Sequence, residues 1–183
     1  MLILGLNHGE ISSSASILKN SKIIASSGEE RFSRIKKTKS FPHNAINFCL
    51  KSANIDLNQC DYIAQGWNPG EYWNFFNYSS ISDKRIRREN YLFSIPDNLF
   101  NFIKRKSPEW LLLDSPQNSQ LPPIYFVRHH LAHAANAFFL SPYNEAAILT
   151  CDWRGEFQTT TMGKGIGNSI EIFSTNNMPH SLG

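Results

Sequence analysis

The sequence feature that most constrains the fold of this chain is the stretch at residues 128–135, which reads RHHLAHAA. An apolar run at residues 124–127 precedes it and predicts a β-strand, and the small and apolar residues 134–140 predict a helix. His129 and His133 are four residues apart, so a helix would place both imidazoles on one face, one turn apart. Two imidazoles at this spacing can bind one metal ion. The alternative is a helix start whose histidines pack or are solvated.

A second apolar run, at residues 146–151, ends at Asp152 and predicts another strand. Ligands collect at the carboxyl ends of strands in an open α/β sheet, so we expect Asp152 to lie near His129. Two histidines and one carboxylate with open coordination positions suit Fe(II), Zn or Mn. His130 is rotated by about 100° from the shared helix face, so we do not expect it to be a ligand. The alternative role for Asp152 is a turn residue or a helix cap.

The composition places the chain among globular proteins, because 41% of its 183 residues are hydrophobic and 18% are charged. This length predicts one domain. The net charge of +3 is too small to favour a nucleic-acid partner. The three cysteines are odd in number and not spaced as metal ligands, so we expect free thiols and a cytoplasmic location. No apolar run approaches the ~20 residues of a membrane helix, and we expect neither a signal peptide nor a membrane partner.

The order of the remaining patterns predicts a mixture of strands and helices. Three strands, at residues 2–6, 15–18 and 22–27, have short connections and are expected to pair antiparallel. A helix is predicted at residues 42–53 and a strand at residues 62–66. Residues 67–121 are rich in aromatics and cations, and we interpret them as an insertion. Residues 159–174 predict a hairpin with a glycine-rich turn, which is not a P-loop because Gly165 follows Lys164.

Two polar segments could bind anions. The loop at residues 7–14 offers hydroxyls and backbone N–H groups that can cradle phosphate, although serine-rich loops are often only loops. The cationic run at residues 31–39 includes Arg34 and Lys36 and suits phosphate or carboxylate. The more common meaning of such a run is a solvated surface.

Together these motifs resemble the N-terminal part of the O-carbamoyltransferases of nodulation-factor and antibiotic biosynthesis. The resemblance is weakest at about residues 70–120. It is carried by Leu4-Gly5-Leu6-Asn7, Glu29-Glu30-Arg31-Phe32-Ser33-Arg34, His129-His130-Leu131-Ala132-His133-Ala134, Asp152 with Gly155-Glu156, Thr159-Thr160-Thr161 with Gly163, Gly165, Gly167 and Asn168, and Pro179-His180-Ser181-Leu182-Gly183.

The resemblance implies an α/β fold of the actin-like, sugar-kinase-like ATPase type, which is ribonuclease H-like, with a mixed sheet and flanking helices. Residues 1–183 would form its first lobe only, as an incomplete N-terminal carbamoyltransferase domain. It also implies a divalent metal, with Fe(II) favoured over Zn or Mn, held by His129, His133 and Asp152. A further carboxylate would come from a second lobe beyond Gly183.

The resemblance further implies the reaction and its partners. A YrdC-like domain beyond this chain would make carbamoyl-adenylate from ATP and carbamoyl phosphate. The first domain would then pass the carbamoyl group to a hydroxyl of a small-molecule acceptor in secondary-metabolite or glycan biosynthesis. Arg34 and Lys36 fall where the family has a basic substrate contact. The residues that we predict to bind substrate or nucleotide are Asn7, Arg34, Lys36, Gly163, Gly165 and Asn168.

The sequence departs from the family at two places. The first loop has Glu10-Ile11 where the family commonly has His-Asp, so we predict Glu10 as the catalytic base. The alternative is that Glu10 is a solvated loop residue in a protein that has lost transfer to the acceptor. Trp153 and Arg154 replace small, neutral residues after the aspartate. We expect the complete protein to be a carbamoyltransferase, and we expect the 183-residue chain alone, which the resemblance makes the first lobe only, to be inactive. One alternative is a truncated, non-catalytic module that binds metal or nucleotide. A relative of the enzymes that make threonylcarbamoyl-adenosine in tRNA is less favoured, because the Glu-Glu-Arg-Phe-Ser-Arg motif fits the carbamoyltransferases better.

Overall fold

The computed structural model describes residues 1–9, 11–68, 94–96, 98–99, 102 and 121–182. These residues form two compact units. The first consists of Met1–Gln65 with the described part of Ile81–Tyr125, and the second consists of the described parts of Gly66–Ser80 and Phe126–Gly183. Within the described residues, no helix is long and apolar enough to cross a membrane.

A mixed five-stranded sheet dominates the first unit, with the order β3-β2-β1-β4-β5. Its strands are β1 (Leu2–Asn7), β2 (Ser14–Lys19), β3 (Lys22–Gly28), β4 (Tyr62–Gln65) and β5 (Ile124–Phe126). The strand β2 pairs antiparallel with both β1 and β3, whereas β1 and β4 are parallel. This arrangement confirms the predicted α/β fold with a mixed sheet and agrees with the implied actin-like ATPase fold.

The core of the first unit lies between this sheet and a helix. In β1 and β2 the buried residues alternate along each strand, as expected for a sheet with one covered face. The covering helix is α2 (His43–Ala53), which follows the single turn α1 (Glu30–Ser33) and packs on β2 and β3. A 3₁₀ turn, Leu57–Gln59, leads into β4. The helix α2 buries Ala45, Ile46, Cys49 and Leu50, which recur at helical spacing.

The second unit consists of one helix and a separate antiparallel sheet. The helix is α3 (His129–Phe139), and the sheet has the order β6-β7-β8, formed by β6 (Glu145–Gly155), β7 (Gln158–Ile166) and β8 (Ser169–Asn177). The apolar face of α3 packs on the sheet through Ala134, Phe138 and Ile148. Gly165 lies under this contact, because a β-carbon there would fall 2.6 Å from the Phe138 ring.

Two sequence predictions about strand ends were wrong. Asp152 does not terminate a strand but lies inside β6, and β6 belongs to a different sheet from β5. The alternation that buries Ile148 and Thr150 continues one step further to Asp152, so its side chain points to the same face as theirs. The residues Gly163 and Gly165 lie inside β7, whereas the turn of the confirmed hairpin falls after Ile166. The predicted insertion at residues 67–121 lies mostly outside the described residues.

Candidate metal centre

Three side chains of the second unit converge on one point. The Nε2 atom of His129 lies 2.9 Å from Oδ2 of Asp152 and 3.0 Å from Nε2 of His133. The distance from Nε2 of His133 to the same carboxylate oxygen is 3.4 Å. The ligand atoms of all three residues lie within 4.8 Å of one another. The α3 helix therefore presents both histidines to β6, as the four-residue spacing predicted.

The hydrogen bonding of His129 selects the tautomer that suits a metal ligand. Its Nδ1 atom lies 3.2 Å from the backbone carbonyl oxygen of Gly66, and only an N–H can donate to that oxygen. In the neutral ring the Nε2 atom then carries the lone pair. Two ring nitrogens and a carboxylate oxygen carry lone pairs that repel one another at these distances. They lie together favourably only when a proton or a metal ion sits between them. The donor set thus fits a divalent cation, which His129, His133 and Asp152 would hold.

The environment of Asp152 keeps its carboxyl group ionised. Partial burial acts to raise the pKa of Asp152, but hydrogen bonds from His129, the Trp153 backbone N–H and His133 outweigh burial and lower it. The backbone N–H of Trp153 donates to Oδ1 at 2.6 Å, which leaves Oδ2 directed at the histidines. An ionised carboxylate is the form that binds a metal ion.

Two residues that sequence reasoning assigned no role place the His129 ring. A β-carbon at Gly155 would fall 2.6 Å from both Cβ and Cδ2 of His129, so only glycine allows this close approach. The Trp67 ring meets the His129 ring edge-on, with 5.4 Å between centroids. In addition, the Glu156 carboxylate accepts the backbone N–H of His129 at 3.1 Å. The Gly155-Glu156 pair was part of the family resemblance, and that pair was the only sequence signal for these contacts.

His130, which the helical spacing did not predict as a ligand, fills a structural position. Its ring is fully buried, and burial lowers its pKa, opposed by the hydrogen bond to Gln158. The Nε2–H donates to the Gln158 carbonyl at 2.9 Å, and Nδ1 accepts from the Thr150 hydroxyl at 2.6 Å. Because both ring nitrogens are engaged, His130 anchors the first turn of α3 to β6 and β7.

Among the predicted site residues that the structure describes, only His129, His133 and Asp152 form such a cluster. Glu10 lies outside the described residues. Asn7 ends β1, and its side-chain amide donates to the Ser12 carbonyl at 3.3 Å. Arg34 has a left-handed backbone at the end of α1, and Lys36 is exposed two residues later. Asn168 is exposed in the β7–β8 turn. For these residues, and for Gly163 and Gly165, the binding role stays a prediction.

The sequence of this chain matches one known protein family over almost its whole length. The family described as Carbamoyltransferase N-terminus matches residues 2–183. The chain belongs to this family. The predicted resemblance to the carbamoyltransferases is therefore confirmed.

Several relatives of this carbamoyltransferase-family chain are longer proteins. It is 36% identical over 196 aligned positions to an uncharacterized protein of Synechocystis sp., covering 99% of this chain and 30% of that protein. It is 29% identical to the nodulation protein NolNO of Sinorhizobium fredii, covering 92% of this chain and 23% of that protein. An uncharacterized protein of Methanocaldococcus jannaschii is 26% identical, with 100% and 28% coverage. The chain thus spans between 23% and 30% of the length of these relatives.

Solved structures give weaker matches to the chain. YeaZ from Pseudomonas aeruginosa matches with 14% identity and a TM-score of 0.49, over 98% of this chain and 68% of that one. The activator of 2-hydroxyisocaproyl-CoA dehydratase from Clostridium difficile, with bound ADPNP, matches with 14% identity and a TM-score of 0.41. The latter match covers 97% of this chain and 46% of the activator.

Proposed function

We propose that the full-length protein is an O-carbamoyltransferase and that the residues described above hold its divalent metal. The observation that carries the proposal is the convergence of His129, His133 and Asp152 in a chain of the carbamoyltransferase family. The proposed reaction moves a carbamoyl group from carbamoyl-adenylate to a hydroxyl of a small-molecule acceptor. The relatives are several times longer than this chain, which supports placing the second lobe and a YrdC-like adenylate-forming domain in the rest of the protein.

The donor set favours Fe(II), with Zn or Mn as alternatives, because two imidazoles and one carboxylate leave coordination positions open. A bound cation would supply positive charge against the phosphate of the leaving nucleotide. Residues of this chain orient the side chains that would hold the cation. Gly66 and Gly155 fix the His129 ring through the carbonyl contact and the close packing described above. The Trp153 N–H holds the Asp152 carboxylate, so the ligands need little rearrangement.

The proposed transfer replaces one carbon–oxygen bond with another and moves one proton to a base. The acceptor oxygen bonds to the carbamoyl carbon, the bond from that carbon to the phosphate oxygen breaks, and AMP leaves with the electron pair. The hydroxyl proton passes to a base, for which we propose Glu10. The flanking backbone is held, since the Gly9 N–H donates to the Lys39 carbonyl at 3.2 Å. If Arg34 and Lys36 approach Glu10, their charges keep it ionised and make it a weaker base.

We propose that the predicted substrate-binding and nucleotide-binding residues contact ATP, carbamoyl phosphate and carbamoyl-adenylate. The cations of the run at residues 31–39 are exposed, whereas its neighbouring acids are engaged with backbone N–H groups. The Glu30 carboxylate accepts the Lys37 N–H at 3.0 Å, and Glu29 accepts the Ala45 N–H at 2.8 Å. Among the described residues, Glu29 and Glu30 are thus engaged elsewhere, which supports a role for the positive charge of Arg34 and Lys36 in binding a phosphate.

The metal is tested in the full-length protein by elemental analysis of wild type and of His133→Ala. We expect a bound divalent metal in wild type and a much lower metal content in the variant, because removing His133 should weaken metal binding by at least about tenfold. His180→Ala removes another exposed histidine of the same unit and serves as the matched control. Equal metal content in wild type and His133→Ala would contradict the metal site.

The base is tested separately, by carbamoyl transfer from synthetic carbamoyl-adenylate. General-base catalysis is worth about 10²–10⁴-fold, so Glu10→Gln should lose transfer by that factor while it retains the metal. Transfer at the wild-type rate in Glu10→Gln would exclude Glu10 as the base.

A second candidate function is a non-catalytic module that keeps the metal and nucleotide surface. The observation that favours it is the environment of Asp152, where Trp153 is half exposed and the Arg154 guanidinium carbon lies 4.9 Å from the centre of the Trp153 ring. These bulky groups stand where the family has small, neutral residues. Metal binding without transfer in the wild-type protein, together with transfer by Glu10→His alone, would establish this second function.

A further inference from the structure

Glu156 is a buried carboxylate in the turn between β6 and β7. Only 4% of its surface is exposed, and its backbone has a φ of 43°, which a non-glycine residue rarely adopts. Burying a carboxylate is costly unless hydrogen bonds compensate for the lost water. Glu156 therefore carries two energetic costs, the burial of its carboxylate and its strained backbone, and the contacts that it makes must compensate for both.

Three hydrogen bonds of the Glu156 carboxylate lead to His129 or to the segment that orients its ring. Both carboxylate oxygens accept the backbone N–H of His129 at 3.1 Å. The Oε1 atom also accepts the backbone N–H of Asn68 at 2.7 Å. Asn68 lies two residues after Gly66, whose carbonyl oxygen accepts the Nδ1–H of His129. Glu156 therefore fixes the backbone of the metal ligand and also the segment that orients its ring.

The electrostatic setting reinforces this contact. His129 is the first residue of α3, and the preceding Arg128 makes no side-chain cap. The unpaired N–H groups and the partial positive charge at a helix start favour a carboxylate at that place. The negative charge of Glu156 thus lies against the residue that carries one ligand atom, where it also favours a bound cation.

We propose that Glu156 is a positioning residue that sets the affinity of the metal centre through His129. The inference rests on the metal site proposed above. Glu156 does not touch the metal in this scheme. It holds the His129 imidazole in the orientation in which Nε2 faces His133 and Asp152, so that little conformational freedom is lost when the ion binds.

The first unit contains a matched control for the effect of removing a buried helix-capping carboxylate. Glu29 is also 4% exposed, and its carboxylate accepts the backbone N–H groups of Asn44 and Ala45 at the start of α2. The three proposed metal ligands belong to the second unit, whereas α2 belongs to the first. Glu29→Gln and Glu156→Gln therefore make the same chemical change at two helix starts, and only one of these helices carries metal ligands.

The test measures Co(II) and Zn(II) dissociation constants by chelator competition in the full-length protein, together with the visible spectrum of the Co(II) form. We expect Glu156→Gln to weaken binding by about 10–100-fold and to change the Co(II) spectrum. Glu29→Gln should lower the melting temperature and leave the affinity and the spectrum unchanged. Wild-type affinity and spectrum in a folded Glu156→Gln variant would show a purely structural role and overturn the proposal.

Two further outcomes are distinguishable. If Glu156→Gln does not fold, Glu156→Asp carries the test, because it keeps the charge and withdraws the carboxylate by one bond. We expect weaker binding and an altered Co(II) spectrum in that variant, and wild-type behaviour would overturn the proposal. If the wild-type protein binds neither Co(II) nor Zn(II), the proposed metal function fails, and the positioning role of Glu156 fails with it.

Discussion

Gly155 lies so close to His129 that a β-carbon at position 155 would fall 2.6 Å from the imidazole Cδ2 atom. This contact joins the end of β6 to the start of α3. The backbone φ of Gly155 is not in the left-handed region, so steric space and not conformational freedom requires a glycine there.

Gly155→Ala should therefore displace the His129 ring. We expect metal affinity to fall by about 10–100-fold and the free energy of unfolding to fall by about 1–3 kcal/mol from overpacking. Gly28→Ala is the control, since its nearest neighbours would lie at an ordinary 3.7 Å and 3.8 Å. Metal titration and urea unfolding measure the two effects. Wild-type affinity in Gly155→Ala would show that the ring does not need this space.

His8 should make the stability of the chain fall as the pH falls below about 6.5. Burial lowers the pKa of His8, opposed by the hydrogen bond to Gln65. The unfolded chain then binds the proton more readily, so the contribution of His8 to stability is present above its unfolded pKa of 6.5 and is lost as the pH falls below it. The pKa of Asp152 is also lowered, so Asp152 contributes to stability at pH values above its unfolded pKa of 3.8. That contribution is lost only when the pH falls below 3.8.

The measurement is urea unfolding of the 183-residue chain at several pH values, with wild type compared to His8→Gln. The wild-type free energy of unfolding should fall more steeply on acidification, by at most about 1.4 kcal/mol per pH unit. Parallel curves for the two proteins would show that the pKa of His8 is the same in both states.

The three cysteines should differ in their reactivity towards maleimide. Burial and the nearby Asp61 charge raise the pKa of Cys60 to about 11, and burial raises that of Cys49, opposed by the Ser27 backbone. Cys151 is exposed. At neutral pH we expect one fast thiol in native protein and none in Cys151→Ser, measured by mass spectrometry. Fast labelling of two thiols in the native protein would contradict the buried positions of Cys49 and Cys60.

The sheet face opposite α3 should make the isolated chain self-associate. Leu149 and Met162 are register partners and are 65% and 44% exposed, and Phe173 is 64% exposed. We expect the chain to bind an apolar dye and to sediment as more than a monomer. Leu149→Thr with Phe173→Thr should reduce both effects. Tyr143→Ser, which removes an exposed aromatic outside the sheet, should change neither, and a dye-free wild-type monomer would contradict the expectation.

The sequence by itself predicted the features that depend on neighbouring residues. The periodicity of the apolar residues predicted α2 and the antiparallel strand pairs. The four-residue spacing predicted that His129 and His133 lie on one face of a helix. The family motifs could also be recognised in the sequence, because each is a short run of neighbouring residues. The nucleotide contacts, including Asn7 and Asn168, and the base Glu10 remain predictions, since their roles depend on a bound substrate.

Only the tertiary structure decided which residues hold the three predicted metal ligands in place. The sequence placed Asp152 at a strand end, but pairing with β7 continues β6 through it and directs its carboxylate at α3. Glu156 and Gly66 reach His129 from 27 and 63 positions away along the chain. Such contacts have no period or spacing in the sequence, because they arise from how α3 packs on the sheet and not from the order of residues within either element.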